Sequence, residues 1–254
     1  MQDSTQASSF NISGRSVDVG RGFEWIALGF GYFKQAPLVW VLCIVILLAI
    51  YLVLGFIPFI GNLAANLLFA VFAAGLMLGA DKQQRGEEIV VGDLFAGFQG
   101  PSLVPLIIVG AIYTAAVVAI VGIAVIMFVV LLGASGGLGA ILSGDSGALL
   151  GVLMGAGIGA ILIGLAVLAA LVPIAMAVWF APALVALNGI EPVAALKASF
   201  WACLNNFLPF LLYGLVMFVL LVVGLIPFGL GLLVVVPMLY ASTYAAYRDI
   251  FTSD

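Results

Sequence analysis

The stretch LVWVLCIVILLAIYLVLGFIPFIGNLAANLLFAVFAAGLMLGA, residues 38–80, decides the fold. Its 43 residues include no Asp, Glu, Lys, Arg or His. A helix needs about 20 apolar residues to cross a hydrocarbon core about 30 Å thick, so this stretch is long enough for two crossings. It is interrupted at Ile57-Pro58-Phe59-Ile60-Gly61-Asn62, where proline ends one helix and Gly-Asn permits a turn. The reading is a hairpin of two spans, about 38–56 and 61–80. Helices are the expected spanning element, because each satisfies its own backbone in lipid and the stretch lacks the alternation of a barrel strand.

Three further apolar blocks extend the pattern. One runs over 103–133 and is followed by a Gly/Ser loop, 134–147, that carries Asp145. The next, 148–187, would reach roughly 60 Å as one helix, too far for a single crossing. Pro173 and Pro182 predict a span over 148–172 with a kinked extension to 187. The last block is broken at Ile226-Pro227-Phe228-Gly229 into spans 207–225 and 229–247. The expected fold is an all-α integral membrane protein with six transmembrane helices in one domain, 23–254.

Composition agrees with this class. Hydrophobic residues make up 66% of the chain and charged residues 7%, against about 25% charged in soluble domains. All seven cations, Arg15, Arg21, Lys34, Lys82, Arg85, Lys197 and Arg248, fall in segments that a six-span count places on one side. The positive-inside rule then puts both termini in the cytoplasm of a bacterial inner membrane. The net charge of −4 averages a few juxtamembrane acids and implies no nucleic-acid partner. Residues 1–22 are polar and lack the apolar core of a signal peptide, which predicts a disordered cytoplasmic tail.

Each pair of spans follows a similar lead-in, so the spans form three hairpin repeats, each preceded by a short amphipathic interfacial helix. Phe23, Ile26, Phe30 and Phe33 stand opposite Glu24 and Lys34, ahead of Pro37. Val91, Leu94, Phe95 and Phe98 stand opposite Asp93 and Gln99, ahead of Pro101. Val193, Leu196, Phe200 and Cys203 stand opposite Glu191 and Lys197, ahead of Asn205, Asn206 and Pro209. Such helices serve either as connectors anchoring each hairpin or as a surface for lipids or partners. The turns IPFIG at 57–61 and IPFGLG at 226–231 match closely.

Little reactive chemistry is visible. The chain has no histidine, which removes the commonest general base and metal ligand. Glu87-Glu88 reads as a solvated surface, and Cys43 and Cys203 read as small apolar packing residues. Asn62, Tyr113, Thr114, Asn205, Asn206, Tyr213 and Thr243 are the polar candidates at or within spans, expected as interhelical bonds or caps. Gly151, Gly155 and Gly159 form a small-residue stripe that lets another helix approach, in this chain or in a second one. Trp25, Trp40 and Trp201 are expected in an aromatic belt at the cytoplasmic span ends. No catalytic residue, metal ligand or cofactor is expected.

At Ala194-Ala195-Leu196-Lys197-Ala198-Ser199-Phe200, then Asn205-Asn206 and Pro209, the chain resembles a broad bacterial group. That group includes the YciC-like inner-membrane proteins and the six-helix membrane domain fused to some glycerophosphodiester phosphodiesterases. Gly22-Phe23-Glu24-Trp25-Ile26 and Phe33-Lys34-Gln35-Ala36-Pro37 look like a subfamily known only as bacterial membrane proteins. The resemblance implies a six-helix inner-membrane architecture with no established activity, and the phosphodiesterase activity does not carry over. From these residues the motif Lys34, Pro37, Lys197, Ser199, Asn205, Asn206 and Pro209 is the candidate interfacial site. The expected role is a non-enzymatic scaffold, accessory subunit or membrane-organising factor; the alternative is a transporter of a lipid-like or hydrophobic molecule. Expected partners are membrane lipids, with other membrane subunits or a second copy of the chain.

Overall fold

The computed structural model describes residues 9–144 and 146–253, without the side chains of 9, 137–138, 141, 148–149, 153–155 and 253. Asp145 and the first eight residues of the expected tail lie outside it. Among the described residues the order is β1 (Ser9–Phe10), α1 (Arg21–Gln35), α2 (Pro37–Gly55), α3 (Ile60–Gln84), a 3-10 helix (Val91–Phe98) and α4 (Leu103–Ala134). Then follow α5 (Gly137–Ser143), α6 (Ser146–Trp179), α7 (Ala181–Asn188), α8 (Pro192–Asn205), α9 (Phe207–Leu225), α10 (Leu232–Phe251) and β2 (Thr252–Ser253). The chain divides into two units. The first takes the chain up to Ala111 and from Met176 onward, and the second is Ile112–Ala175.

Five helical stretches are long and apolar enough to cross a membrane: Pro37–Gly55, Ile60–Gln84, Gly100–Ala134, Ala156–Asn188 and Phe207–Leu225. The sixth expected span corresponds to α10, whose 20 residues contain Pro237, Ser242, Thr243 and three tyrosines and end beyond Arg248 and Asp249. Its polar residues keep it out of the group of five. All of them but Tyr240 and Arg248 are also buried, as are most residues from Val235 to Phe251, because α10 packs against α1, α2, α3 and α9.

The first unit is organised around that helix. α1 lies on α10 and α9 with Gly22, Trp25, Ile26, Gly29, Tyr32 and Phe33 buried, a stripe at helical spacing. The expected face was different: Phe23 and Phe30 point outward, 59% and 42% exposed. The reason is the glycines. A Cβ on Gly29 would lie 2.7 Å from the Ser242 nitrogen, and one on Gly22 would lie 2.2 Å from the Pro209 carbonyl oxygen. These positions let backbones meet, so the glycine stripe faces inward and the phenylalanines do not.

The polar end of the second lead-in also differs from expectation. Asp93 is buried with Leu94, because its carboxylate accepts from the Val90 backbone N–H and pairs with Lys82. On α8 the buried face is Ala195, Leu196, Ser199, Ala202 and Cys203, with Val193 exposed. The tail differs most. From Ser9 onward it is pinned, since Ser9–Phe10 pair antiparallel with Thr252–Ser253 and the Arg15 backbone N–H donates to the Ile250 carbonyl.

The long fourth block resolves differently at its two prolines. α6 runs through Pro173 without ending, and the break comes at Phe180, just before Pro182 in α7. In a continuous helix the Phe180 N–H would bond to the Met176 carbonyl. Instead the Ser199 hydroxyl stands between them, donating to Met176 at 2.6 Å and accepting from Phe180 at 2.9 Å. An inserted hydroxyl is a recognised cause of a sharp helix break. The two matching turns share a backbone feature: Phe59 and Phe228 both have positive φ, 61° and 54°, and both are fully open. Positive φ is rare for an aromatic residue, yet the turns close differently: Ile60 N–H donates to the Pro58 carbonyl, whereas Leu230 N–H donates to that of Pro227.

Two glycines on α1 test the packing account. Gly29→Ala should lower stability by about 1–3 kcal/mol, the usual range for overpacking. Gly31→Ala, on the same helix with nothing within 4 Å, should be neutral or slightly stabilising. Thermal unfolding midpoints in detergent compare the two directly.

Candidate functional site

Polar chemistry in the first unit converges on Asp249, near the end of α10. Its side chain is 4% exposed. Arg15 Nη2 donates to Oδ1 at 2.9 Å, while Arg21 Nε at 2.6 Å and Trp25 Nε1 at 2.8 Å donate to Oδ2. Arg15 Nε also donates to the Asp249 carbonyl. Burial pushes the carboxyl up, but the bonds from Arg21, Trp25 and Arg15 outweigh it and hold the group below the usual carboxylate range. The Asp249 bond likewise holds Arg21 above its ordinary value.

The four members of this cluster come from three elements. Arg15 belongs to the pinned tail, Arg21 and Trp25 to α1, and Asp249 to α10. Asn206 ties the tail to the α8–α9 junction: its Nδ2 donates to the Arg15 and Ala202 carbonyls, and its Oδ1 accepts from the Val17 N–H at 2.8 Å. Asn205 is exposed, and its carbonyl accepts from the Ser16 hydroxyl at 3.4 Å.

Nearby, the Tyr244 hydroxyl donates to Asp81 Oδ1 at 2.7 Å, and Asp81 also pairs with Arg85. The Tyr247 hydroxyl donates to Asn188, and that of Tyr32 to Gln84. Two clefts of about 330 and 460 Å³ open among these groups. Arg15, Arg21 and Asp249 line the first; Asp81, Arg85 and Tyr247 line the second; Gln84, Arg248 and Thr252 line both. α3 runs four residues past its expected end, which makes Asp81 and Gln84 helical and carries them to the cleft walls.

The residues singled out from the sequence are dispersed. Ser199 is fully buried at the α6–α7 break, where Cys203 Sγ also approaches the Met176 carbonyl. Lys34 is exposed and sits 5.0 Å over the Phe30 ring. Pro37 opens α2, Lys197 is exposed on α8, and Pro209 is buried against Gly22. Only Asn206 touches the Asp249 cluster, through the Arg15 carbonyl. The cluster itself was missed because its members are some 230 positions apart. Its one sequence signal was that Asp249 is an acid at the end of a predicted span, next to a cation.

Several other expectations changed. Trp25 and Trp40 are completely buried, not in a belt, because each indole N–H meets an internal acceptor, Asp249 or Gln83. Trp201 is 55% exposed. Tyr213 bonds to Ser242 across the α9–α10 contact, whereas Thr243 bonds back to Leu239 on its own helix. Asn62 is exposed near a turn, and Tyr113 and Thr114 are half-buried on α4. Cys43 and Cys203 are free and buried, and burial pushes the Cys203 thiol up to about 12.

The second unit is apolar. A groove of about 670 Å³ is lined by Met127, Val130 and Leu131 of α4 with Leu162 and Ile163 of α6. Gly159 approaches Leu131 closely, but Gly151 has open space around it, so the expected close contact is not made there within the chain. The surroundings of Gly155 lie outside the described residues.

The chain is 30% identical, over 268 residues covering 92% of both sequences, to a probable inner membrane protein of Burkholderia thailandensis. The chain belongs to that family. It is thus a multi-pass helical protein of the inner membrane. No family model and no solved structure matches it.

Asp249→Asn removes the charge that two arginines share and should cost about 2 kcal/mol at neutral pH. The sign of the pH effect follows from the lowered carboxyl value. The stabilisation is fully present above the unfolded value, about 3.9, and is lost as pH falls through the folded value. Unfolding midpoints of the wild type and Asp249→Asn should therefore differ between pH 7 and pH 4 and converge in stronger acid. Separately, Ser199→Ala strands a buried N–H and carbonyl and should destabilise by about 1–3 kcal/mol, read from the same midpoints.

Proposed function

We propose that this is a non-enzymatic inner-membrane scaffold or accessory subunit that crosses six times with both termini in the cytoplasm. One observation carries the reading: four buried polar side chains of the first unit are spent on joining elements. Asp249, Gln83, Ser199 and Asn206 each bond to a segment distant in sequence. Groups engaged in this way build a rigid frame and are not poised for chemistry.

The sixth crossing is α10. The crossing ends near Tyr247, short of Arg248 and Asp249, and Tyr244, Tyr247, Ser242 and Thr243 bond within the protein and need not meet lipid. The topology draws support from the clefts, because Arg15, Arg21, Arg85 and Arg248 come from three separate segments and surround one region. In this reading α1 and α8 lie near the inner leaflet, the three-hairpin plan describes the chain's history, and the YciC-like resemblance names its wider kin. Partners are lipids and other membrane subunits, including a second copy.

The second reading, transport of a lipid-like molecule, is favoured by the apolar groove of the second unit. Two measurements separate these ideas. Reporter fusions should show the C-terminus cytoplasmic and insertions at Phe59 and Phe228 external; the reverse pattern, or an odd number of crossings, would sink the topology. Proteoliposomes containing the protein should move fluorescent phospholipid between leaflets no faster than empty vesicles. A clear acceleration would replace the scaffold with the transporter.

A further inference from the structure

The two Ile-Pro-Phe turns have a property that the scaffold reading does not require. Each lies at the far end of a helix whose near end follows a polar residue, Gln35 before α2 and Asn206 before α9. Neither 55–61 nor 224–231 contains a polar side chain. Phe56, Phe59, Ile60, Ile226, Phe228 and Leu230 are each at least 66% exposed, so the chain itself does not cover them. Phe59 and Phe228 also hold positive φ, where Gly or Asn is usual. In water such a residue is penalised twice, for its backbone and for its bare ring, and lipid removes the second penalty.

Helix length places the turns. α2 and α9 have 19 residues each, which reach about 28 Å at about 1.5 Å per residue. The hydrocarbon core is about 30 Å thick and helices commonly tilt by about 20°, so neither helix clears it. α4 is a contrast: its 32 residues reach about 48 Å before a Gly/Ser loop. A turn at the edge of the core meets little water, so its backbone has to be largely self-satisfied. The Ile57 N–H donates to the Leu54 carbonyl, that of Gly61 to Ile57 and that of Gly229 to Leu225. A Cβ on Gly61 would overlap the Leu54 carbonyl, and one on Gly231 would overlap Gly224, so each hairpin closes backbone on backbone.

We propose that both turns end at the acyl–headgroup boundary of the outer leaflet, with the Phe59 and Phe228 rings among acyl chains. Neither hairpin then presents a loop to external water. The occupant of this surface is lipid, continuous with the lipid around the exposed sides of α2 and α9. Which leaflet holds the turns rests on the proposed topology; their depth does not.

The test uses the full-length protein in vesicles of phosphatidylethanolamine and phosphatidylglycerol. Nitroxide labels are placed at Phe59→Cys and Phe228→Cys. Leu48→Cys, on the exposed face of α2, is the lipid reference, and Glu88→Cys, exposed after α3, is the water reference. Cys43 and Cys203 are buried, and the protein without an added cysteine gives the background. Both turns should collide more often with molecular oxygen, which concentrates in lipid, than with a water-soluble nickel complex, as at Leu48. If either variant does not fold, Ile60→Cys or Ile226→Cys in the same turn takes its place. These collisions report depth from either side of the membrane, whereas reporter fusions report sidedness, so either idea can fail alone. Nickel collisions at either turn that match those at Glu88 would overturn the proposal.

Discussion

A buried carboxylate inside a largely apolar protein has to be compensated, and Asp249 determines how. Left unpaired at its depth, the charge would be strongly destabilising. Two arginines and an indole meet it, and none is near it in sequence. Bringing them there draws the N-terminal segment across the end of α10, sets where α1 starts and turns the buried stripe of α1 toward α9 and α10. The short ladder between Ser9–Phe10 and Thr252–Ser253 extends the same junction. Residues 9–15 and 249–253 are thereby fastened to one another.

Lipid changes what else can hold such a frame. Apolar side chains gain little by leaving lipid for a helix interface, so packing and polar bonds must do more than in water. The first unit uses both. Glycines at 22, 29, 75 and 97 let backbones touch, and a Cβ at any of them would meet a backbone atom within 2.7 Å. Buried polar groups then lock the register: Gln83 holds Trp40 and the Tyr32 carbonyl, and Tyr213 holds Ser242. α10 carries many of these groups, which a central position allows.

The distribution of chemistry follows from that plan. The arginines are clustered around the clefts of the first unit, whereas the second unit offers an apolar groove.

Most of the helices were legible in the sequence because length and hydropathy act locally. The spans at 38–56 and 207–225 fall within a residue of α2 and α9, since proline and the loss of apolar character end a helix wherever it lies. The aromatic stripes were less legible. Phe23 and Phe30 are as apolar as Phe33, and periodicity alone does not reveal that Gly22 and Gly29 offer the closer approach. Pro173 and Pro182 posed the same problem: both threaten a helix, yet the break falls where Ser199 inserts a hydroxyl from α8. The Asp249 cluster was illegible, because its members come from segments that meet only when α10 is enclosed. By itself the sequence determined a helical membrane protein, the placement of its hairpin turns and the scarcity of its reactive groups, all consequences of short-range hydropathy and backbone preference. Only the tertiary structure decided which faces are inside, where the long helix breaks and which charges meet. Those outcomes depend on contacts between residues 19 to 234 positions apart.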